Sequence, residues 1–137
     1  MYRLLFFLNL GLLFGLCHCT GNPDCGQLAG SWSNGEGQEW VFTPNGEALL
    51  ITRFGSKSDT DLCNFHLRCD SKPAILDLSD CKSGPYSGKS VFCIIDWTSD
   101  STFRLRYESG TQPDVRPTTF DPEQTIQFVR KTPILGN

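Results

Sequence analysis

The chain has 137 residues and a formal net charge of −3 at pH 7. This acidic balance argues against nucleic acid or an anionic membrane as the main partner, because both require a basic protein surface. A chain of this length suits one domain with a single modest core.

The first 19 residues have the pattern of a secretory signal peptide, with Arg3 ahead of an apolar run and small residues before the cut. Cleavage before Thr20 or before Asn22 fits the pattern equally. A membrane anchor is the alternative, but the run is shorter than the ~20 apolar residues that span a bilayer. We therefore expect a secreted protein without a membrane span, in which residues 20–137 form a single domain.

Short segments of alternating apolar and polar residues predict strands through the rest of the chain. They cover residues 29–34, 38–43, 47–54, 61–69, 74–78, 90–97, 102–108 and 125–131. Asn45-Gly46 is a strong hairpin signal, because this pair tolerates the positive φ angles that tight turns require. Flexible loops are expected at 55–60 and 82–90, with a longer irregular stretch at 109–123, and no segment has a convincing helical pattern.

About eight closely spaced strands can hide their edges by closing on themselves. The predicted fold class is therefore all-β, a closed up-and-down antiparallel barrel. An open sandwich built from similar strands is the alternative.

The first and last strands carry a motif that points to a family. Gly30-Ser31-Trp32 opens the first strand, and Arg130 lies at the end of the last. In these features the chain resembles the lipocalin-like (calycin) superfamily of small secreted β-barrels. The resemblance implies that the Trp32 indole packs across the closed end of the barrel with the Arg130 guanidinium over it, in a cation–π contact. Gly30, Trp32 and Arg130 are thus expected to form a structural unit.

The chain has seven cysteines, of which two lie in the predicted signal peptide. The disulfide candidates are Cys25, Cys63, Cys69, Cys81 and Cys93. In an oxidising compartment they predict two disulfides and one odd thiol. Spacing does not determine the pairing, but we expect Cys81 and Cys93 each to be engaged. The odd cysteine leaves a disulfide-linked dimer open.

One cluster, formed by Cys63, His66 and Cys69, contains residue types that bind metals. Side chains alternate along a strand, so His66 points away from the two cysteines, and we predict no metal site. The chain has no Gly-x-Ser-x-Gly elbow and no positioned acid–base pair. We therefore expect a non-enzymatic protein without a cofactor.

Several aromatic residues fall on the presumed inward faces. Trp40, Phe54, Trp97 and Tyr107 are predicted to bind a small hydrophobic molecule inside the barrel, with loops 55–60 and 82–90 at its mouth setting selectivity. The alternative is a barrel filled by its own side chains, which presents loops to an extracellular protein partner as a modulator. The sequence leaves both functions open.

Overall fold

The computed structural model describes residues 28–132. Its strands are β1 Gly30–Ser33, β2 Gln38–Phe42, β3 Glu47–Phe54, β4 Lys57–Arg68, β5 Ala74–Ser79, β6 Ser90–Ser99, β7 Thr102–Gly110 and β8 Ile126–Arg130. Each strand pairs antiparallel with the next, and β8 pairs with β1, which closes the barrel. The predicted closed up-and-down barrel is confirmed, and the open sandwich is wrong.

Three sequence-based expectations lie outside the described residues: the signal peptide, its cleavage site and the fate of Cys25. Among residues 28–132, no helix is long and apolar enough to cross a membrane. Helical structure in this part of the chain includes two short 3₁₀ turns, Gly84–Tyr86 and Pro113–Val115.

The connections of an up-and-down barrel alternate between its two ends. The β1–β2, β3–β4, β5–β6 and β7–β8 connections lie at one end, which we call the loop end. The opposite end, which we call the closed end, contains the start of β1, the end of β8 and the β6–β7 turn. There the Arg130 N–H donates a hydrogen bond to the Ser101 carbonyl at 2.8 Å. Trp32 therefore lies at the closed end.

Alternation along β6 explains how the barrel is filled and covered. Val91 and Ile95 face inward and are fully buried, yet the outward-facing Phe92 is only 8% exposed. The segment between β7 and β8 covers that outer face. From it, Arg116 pairs with Asp77 at 2.5 Å and lies 5.3 Å from the Phe92 ring centroid. The irregular stretch predicted at 109–123 therefore packs on the barrel wall.

The flexible loop predicted at 55–60 is wrong, because β3 and β4 are joined by a two-residue turn. Gly55 has a φ of +61°, which suits the first central position of a tight hairpin turn, and pairing continues to Phe54 opposite Lys57. Residues 57–60 are exposed on both faces, so apolar alternation gives no signal there. The pairing of β3 with β2 ends at Thr52, opposite Gln38. Residues 53–58 continue as a two-stranded extension that we call the hairpin arm.

The cysteines only partly follow expectation. Cys63 and Cys81 form a disulfide, and Cys69 is also disulfide-bonded. Cys93 carries a free, fully buried thiol, so its predicted engagement in a disulfide is wrong. The physical reason is its position in the middle of β6, where its neighbours across the sheet are Leu76 and Tyr107, and neither offers a sulfur.

Candidate functional site

A column of aromatic rings occupies the barrel interior from one end to the other. In order from the loop end, its members are Tyr86, Tyr107, Trp40, Phe128, Phe103 and Trp32. Successive ring centroids are 4.6 to 6.1 Å apart, within the range of favourable aromatic contacts. The four members nearest the closed end, Trp40, Phe128, Phe103 and Trp32, are at most 1% exposed. The interior is therefore packed with the protein's own side chains along the length of this column.

The four residues predicted to bind a hydrophobic ligand do not surround a common space. Trp40 is 1% exposed within the aromatic column, and the Tyr107 hydroxyl oxygen accepts a 2.9 Å hydrogen bond from the Tyr86 hydroxyl. Trp97 packs against Phe103. Phe54 is 62% exposed. Phe54 lies on the same face of β3 as the inward-pointing Ala48 and Leu50, but it is part of the hairpin arm, beyond the rim of the barrel.

Trp97 borders a small pocket beside the β4–β5 connection. The pocket holds about 30 Å³, and its lining includes Pro73 and Ile95. A space of that size suits one or two water molecules, whereas pockets for drug-sized ligands measure ~300–1,000 Å³. The indole Nε1 of Trp97 is buried and has no hydrogen-bond partner in the part of the chain that the structure describes.

The closed end contains the contact expected from the family resemblance. The Arg130 guanidinium carbon lies 4.1 Å from the Trp32 ring centroid, and its Nη1 donates to the Ala29 carbonyl at 2.8 Å. Gly30 has a φ of +126°, and a Cβ there would come within 2.6 Å of Arg130 Nη1. The glycine of the Gly-x-Trp motif therefore makes room for the arginine. This arrangement joins the start of β1 to the end of β8.

The loop end is covered by the β5–β6 connection, which docks on β4. The Lys82 N–H donates to the Leu62 carbonyl at 3.0 Å, and the Ser83 hydroxyl donates to the Thr60 carbonyl at 2.8 Å. These bonds position Tyr86 as the outermost ring of the aromatic column. The predicted loop at 82–90 is thus present, but it is held in place over the mouth.

Asp61 lies buried beneath this covering loop and is only 2% exposed. Its Oδ1 accepts a 3.2 Å hydrogen bond from the Tyr86 N–H. Burial, with a contribution from the nearby Asp59 carboxylate, raises the pKa of the Asp61 carboxyl, and the Tyr86 bond only partly opposes this. Gly84 has a φ of +71°, and a Cβ there would come within 2.6 Å of Asp61 Oδ2. Asp61 therefore supports the loop.

The cluster formed by Cys63, His66 and Cys69 is not assembled as a site. Cys63 is buried and oxidised to a disulfide, while His66 is exposed on the outer face of β4. Between residues 28 and 132, no group of three or more histidine, cysteine or acidic side chains is arranged to hold a metal ion.

Two exposed apolar side chains lie at the loop end. Phe54 is carried by the hairpin arm, and Val115, which is 41% exposed, ends the second 3₁₀ turn. The arm leaves the barrel beside the β1–β2 turn, where the Arg53 N–H donates to the Gly37 carbonyl at 2.8 Å. Phenylalanine is a residue type that is often buried, and Phe54 is the most exposed large apolar side chain in the described part of the chain.

A second surface feature lies where β8 separates from β1 near the loop end. A crevice of about 400 Å³ opens there, which we call the seam crevice. It is lined by Asn34, Glu36 and residues 123–127. Sequence reasoning missed it, because it arises from the length of β1 relative to β8, which alternation alone does not reveal.

Comparison with known proteins revealed no matching family model, no similar curated protein and no similar solved structure.

Proposed function

We propose that this chain is a secreted, non-enzymatic interaction protein with a lipocalin-like barrel, and that its loop end binds an extracellular protein partner. The leader pattern and the disulfide between Cys63 and Cys81 both support secretion. The Gly30, Trp32 and Arg130 arrangement at the closed end supports a lipocalin-like assignment.

The observation that carries this proposal is the exposure of Phe54 on the hairpin arm. Aromatic side chains that project from a rigid element are typical anchors of protein interfaces, because they bury a large area at little conformational cost. The two-residue turn at Gly55 limits the conformations of the tip. The exposed Lys57, directly opposite Phe54, places a positive charge beside the ring, as in a polar interface rim.

Transport of a small hydrophobic molecule is supported less well by the packing. A ligand on the barrel axis would have to displace Trp40, Phe103 or Phe128, which are at most 1% exposed. It would also have to pass Tyr86, which is hydrogen-bonded to Tyr107. Removing such packing costs several kcal/mol per ring. The filled barrel is therefore the better basis for a function.

The proposal is tested by site-specific photocross-linking in secreted protein from cells of its source. A benzophenone amino acid replaces Phe54 in one variant and Val129 in a matched control. Val129 is an exposed apolar residue, 48% accessible, on the β8 wall. We expect a protein adduct of defined mass from position 54 and none from position 129.

Native mass spectrometry of the unmodified protein provides a separate measurement. We expect a mass without a bound small molecule. Stoichiometric retention of an apolar ligand, or identical cross-linking from positions 54 and 129, would contradict the proposed function.

A further inference from the structure

Only the C-terminal end of β8 pairs with β1. Trp32 pairs with Arg130 and Ser33 with Val129, and no further pair follows in this ladder. On its other side, β8 continues to pair with β7 as far as Ile126 opposite Leu105. The first part of β8 therefore has a neighbour along only one edge within the described residues.

Two hydrogen bonds establish which backbone groups face the open edge. The Lys131 N–H donates to the Ser31 carbonyl of β1, whereas the Arg130 N–H donates to Ser101 beside β7, both at 2.8 Å. Backbone groups alternate in direction along a strand, so odd-numbered residues of β8 face β1. The N–H and carbonyl of Gln127 therefore point towards the seam crevice, where no described strand pairs with them.

One wall of the seam crevice is a rigid turn that draws β1 away from β8. Asn34 Oδ1 accepts hydrogen bonds from the Glu36 N–H at 2.8 Å and the Gln38 N–H at 3.0 Å. The Ser33 hydroxyl accepts another from the Gly35 N–H at 3.1 Å. These local bonds stabilise a turn at the position where the ladder would otherwise continue.

The opposite wall is also fixed by hydrogen bonds. Asp121 Oδ1 accepts from the Glu123 N–H at 3.0 Å, and its carbonyl accepts from the Thr125 hydroxyl at 2.6 Å. Arg106 on β7 donates to Gln124 Oε1 at 2.6 Å. Both walls are thus organised before any ligand arrives, which reduces the entropy lost on binding.

The charge of the seam crevice has one sign. Its lining contains the exposed carboxylates of Glu36 and Glu123, and it contains no lysine or arginine. Neither carboxylate has an ion-pair partner in the described part of the chain. A positively charged ligand is therefore favoured on each side of the open edge.

We propose that the seam crevice binds an extended, basic segment of a protein partner, which adds to β8 as a further strand by hydrogen bonding to Gln127. This inference rests on the proposed function, because it specifies the chemistry of a partner at the loop end. Main-chain bonds to an open edge supply affinity in this mode of recognition, and side chains supply selectivity. Lysine or arginine on alternate residues of the segment would lie near Glu36 and Glu123.

The backbone part is tested with a fluorescent peptide of about ten residues that alternates lysine and valine, which is long enough to form a strand. Gln127→Pro removes the N–H that faces the crevice without disturbing a bond to β7, and proline is tolerated on an edge of this kind. Gln127→Ala keeps the N–H and is the matched control. We expect Gln127→Pro to bind the peptide about ten-fold more weakly than Gln127→Ala.

Near-ultraviolet circular dichroism shows whether Gln127→Pro folds. If it does not fold, a modified peptide tests the same hydrogen bonds on wild-type protein. The same peptide with N-methyl groups on alternate residues cannot form the ladder, and we expect it to bind wild-type protein about ten-fold more weakly. Equal binding of the methylated and unmethylated peptides would overturn strand addition.

The charge part uses a peptide with glutamate in place of lysine and the double variant Glu36→Gln/Glu123→Gln. We expect the acidic peptide not to bind. The double variant should bind the basic peptide roughly ten-fold more weakly at low salt, with a smaller difference at high salt. Equal affinity for the two peptides, or no binding of the basic peptide at millimolar concentration, would overturn the proposal. Cross-linking from position 54 tests the proposed function separately. A failure of the peptide experiments therefore contradicts strand addition alone, and a failure of cross-linking contradicts the proposed function.

Discussion

Arg130 and Trp32 join the last strand of the barrel to the first. Their backbones are directly opposed in the β1–β8 ladder, and the guanidinium carbon lies 4.1 Å from the indole centroid. Trp32 Nε1 donates to the Leu28 carbonyl at 2.8 Å, while Arg130 Nη1 donates to Ala29 at the same distance. The residues that precede β1 are thereby fixed to both side chains. Since β1 and β8 pair at only two positions, these contacts contribute much of the closure of the barrel.

Replacing Trp32 should reveal this contribution directly. We expect Trp32→Ala to lower the free energy of unfolding by ~3–5 kcal/mol, because it leaves a cavity where a fully buried indole contacts Phe103. Val129→Ala, at an exposed position of β8, should change it by less than about 0.5 kcal/mol. Urea denaturation measures both values. A cost for Trp32→Ala below about 1 kcal/mol would be inconsistent with a buried anchor.

Gly84 and Gly88 allow a matched test of the covering loop. Their φ angles are nearly equal, +71° and +73°, so alanine at either position incurs a similar backbone strain. A Cβ at Gly84 would meet the Asp61 carboxylate at 2.6 Å, whereas nothing lies within 4 Å of one at Gly88.

We therefore expect Gly84→Ala to destabilise the protein by about 1–3 kcal/mol more than Gly88→Ala. It should also increase hydrogen exchange in the covering loop, because the loop must move away from Asp61. Both effects are measured by urea denaturation and amide exchange. Equal losses for the two variants would mean that Asp61 does not support the loop.

The alternation of apolar residues predicted the barrel well, because it is a direct consequence of strands with one buried face. Most of the inward-facing positions on β6 and β7 are fully buried as the pattern requires: Val91, Cys93, Ile95, Phe103 and Leu105. The Gly30, Trp32 and Arg130 unit was predicted from the resemblance to lipocalin-like barrels, and these residues do lie on the two strands that meet when the sheet closes.

Alternation does not specify where a strand extends beyond the barrel or what fills its centre. Phe54 follows the inward parity of β3, yet it is exposed because β3 and β4 continue past the rim. Tyr86 lies in a loop without periodicity, so nothing in the sequence indicated that it covers the column. The seam crevice depends on hydrogen bonds within the Asn34 turn, which compete locally with the β1–β8 ladder.

The buried Asp61 predicts a specific pH dependence of stability. Its pKa is raised in the folded protein by burial, relative to about 3.9 in an unfolded chain. The folded state therefore binds this proton more tightly. The resulting stabilisation is fully present below the unfolded pKa and is lost as the pH rises through the folded pKa.

Asp61→Asn removes this titration and keeps an acceptor for the Tyr86 N–H. We expect the stability of the variant, relative to wild type, to increase as the pH rises above about 4 and to level off once Asp61 is ionised in the folded protein. Urea denaturation across pH 3 to 8 measures the difference. A constant difference over this range would contradict a raised pKa for Asp61.

The free thiol of Cys93 should be unreactive in the native protein. Its side chain is fully buried, and burial raises its pKa, so little of the reactive thiolate forms at mildly alkaline pH. We expect iodoacetamide to leave Cys93 unmodified in the folded protein and to label it after unfolding in urea without a reductant. Cys63 and Cys81 should be labelled only after reduction, since they are joined to each other. Peptide mapping by mass spectrometry distinguishes these sites. Labelling of Cys93 in the native state, or its recovery in a disulfide-linked peptide, would contradict this prediction and show that this part of β6 opens. A covalent dimer through Cys93 requires the same opening, because the thiol is fully buried.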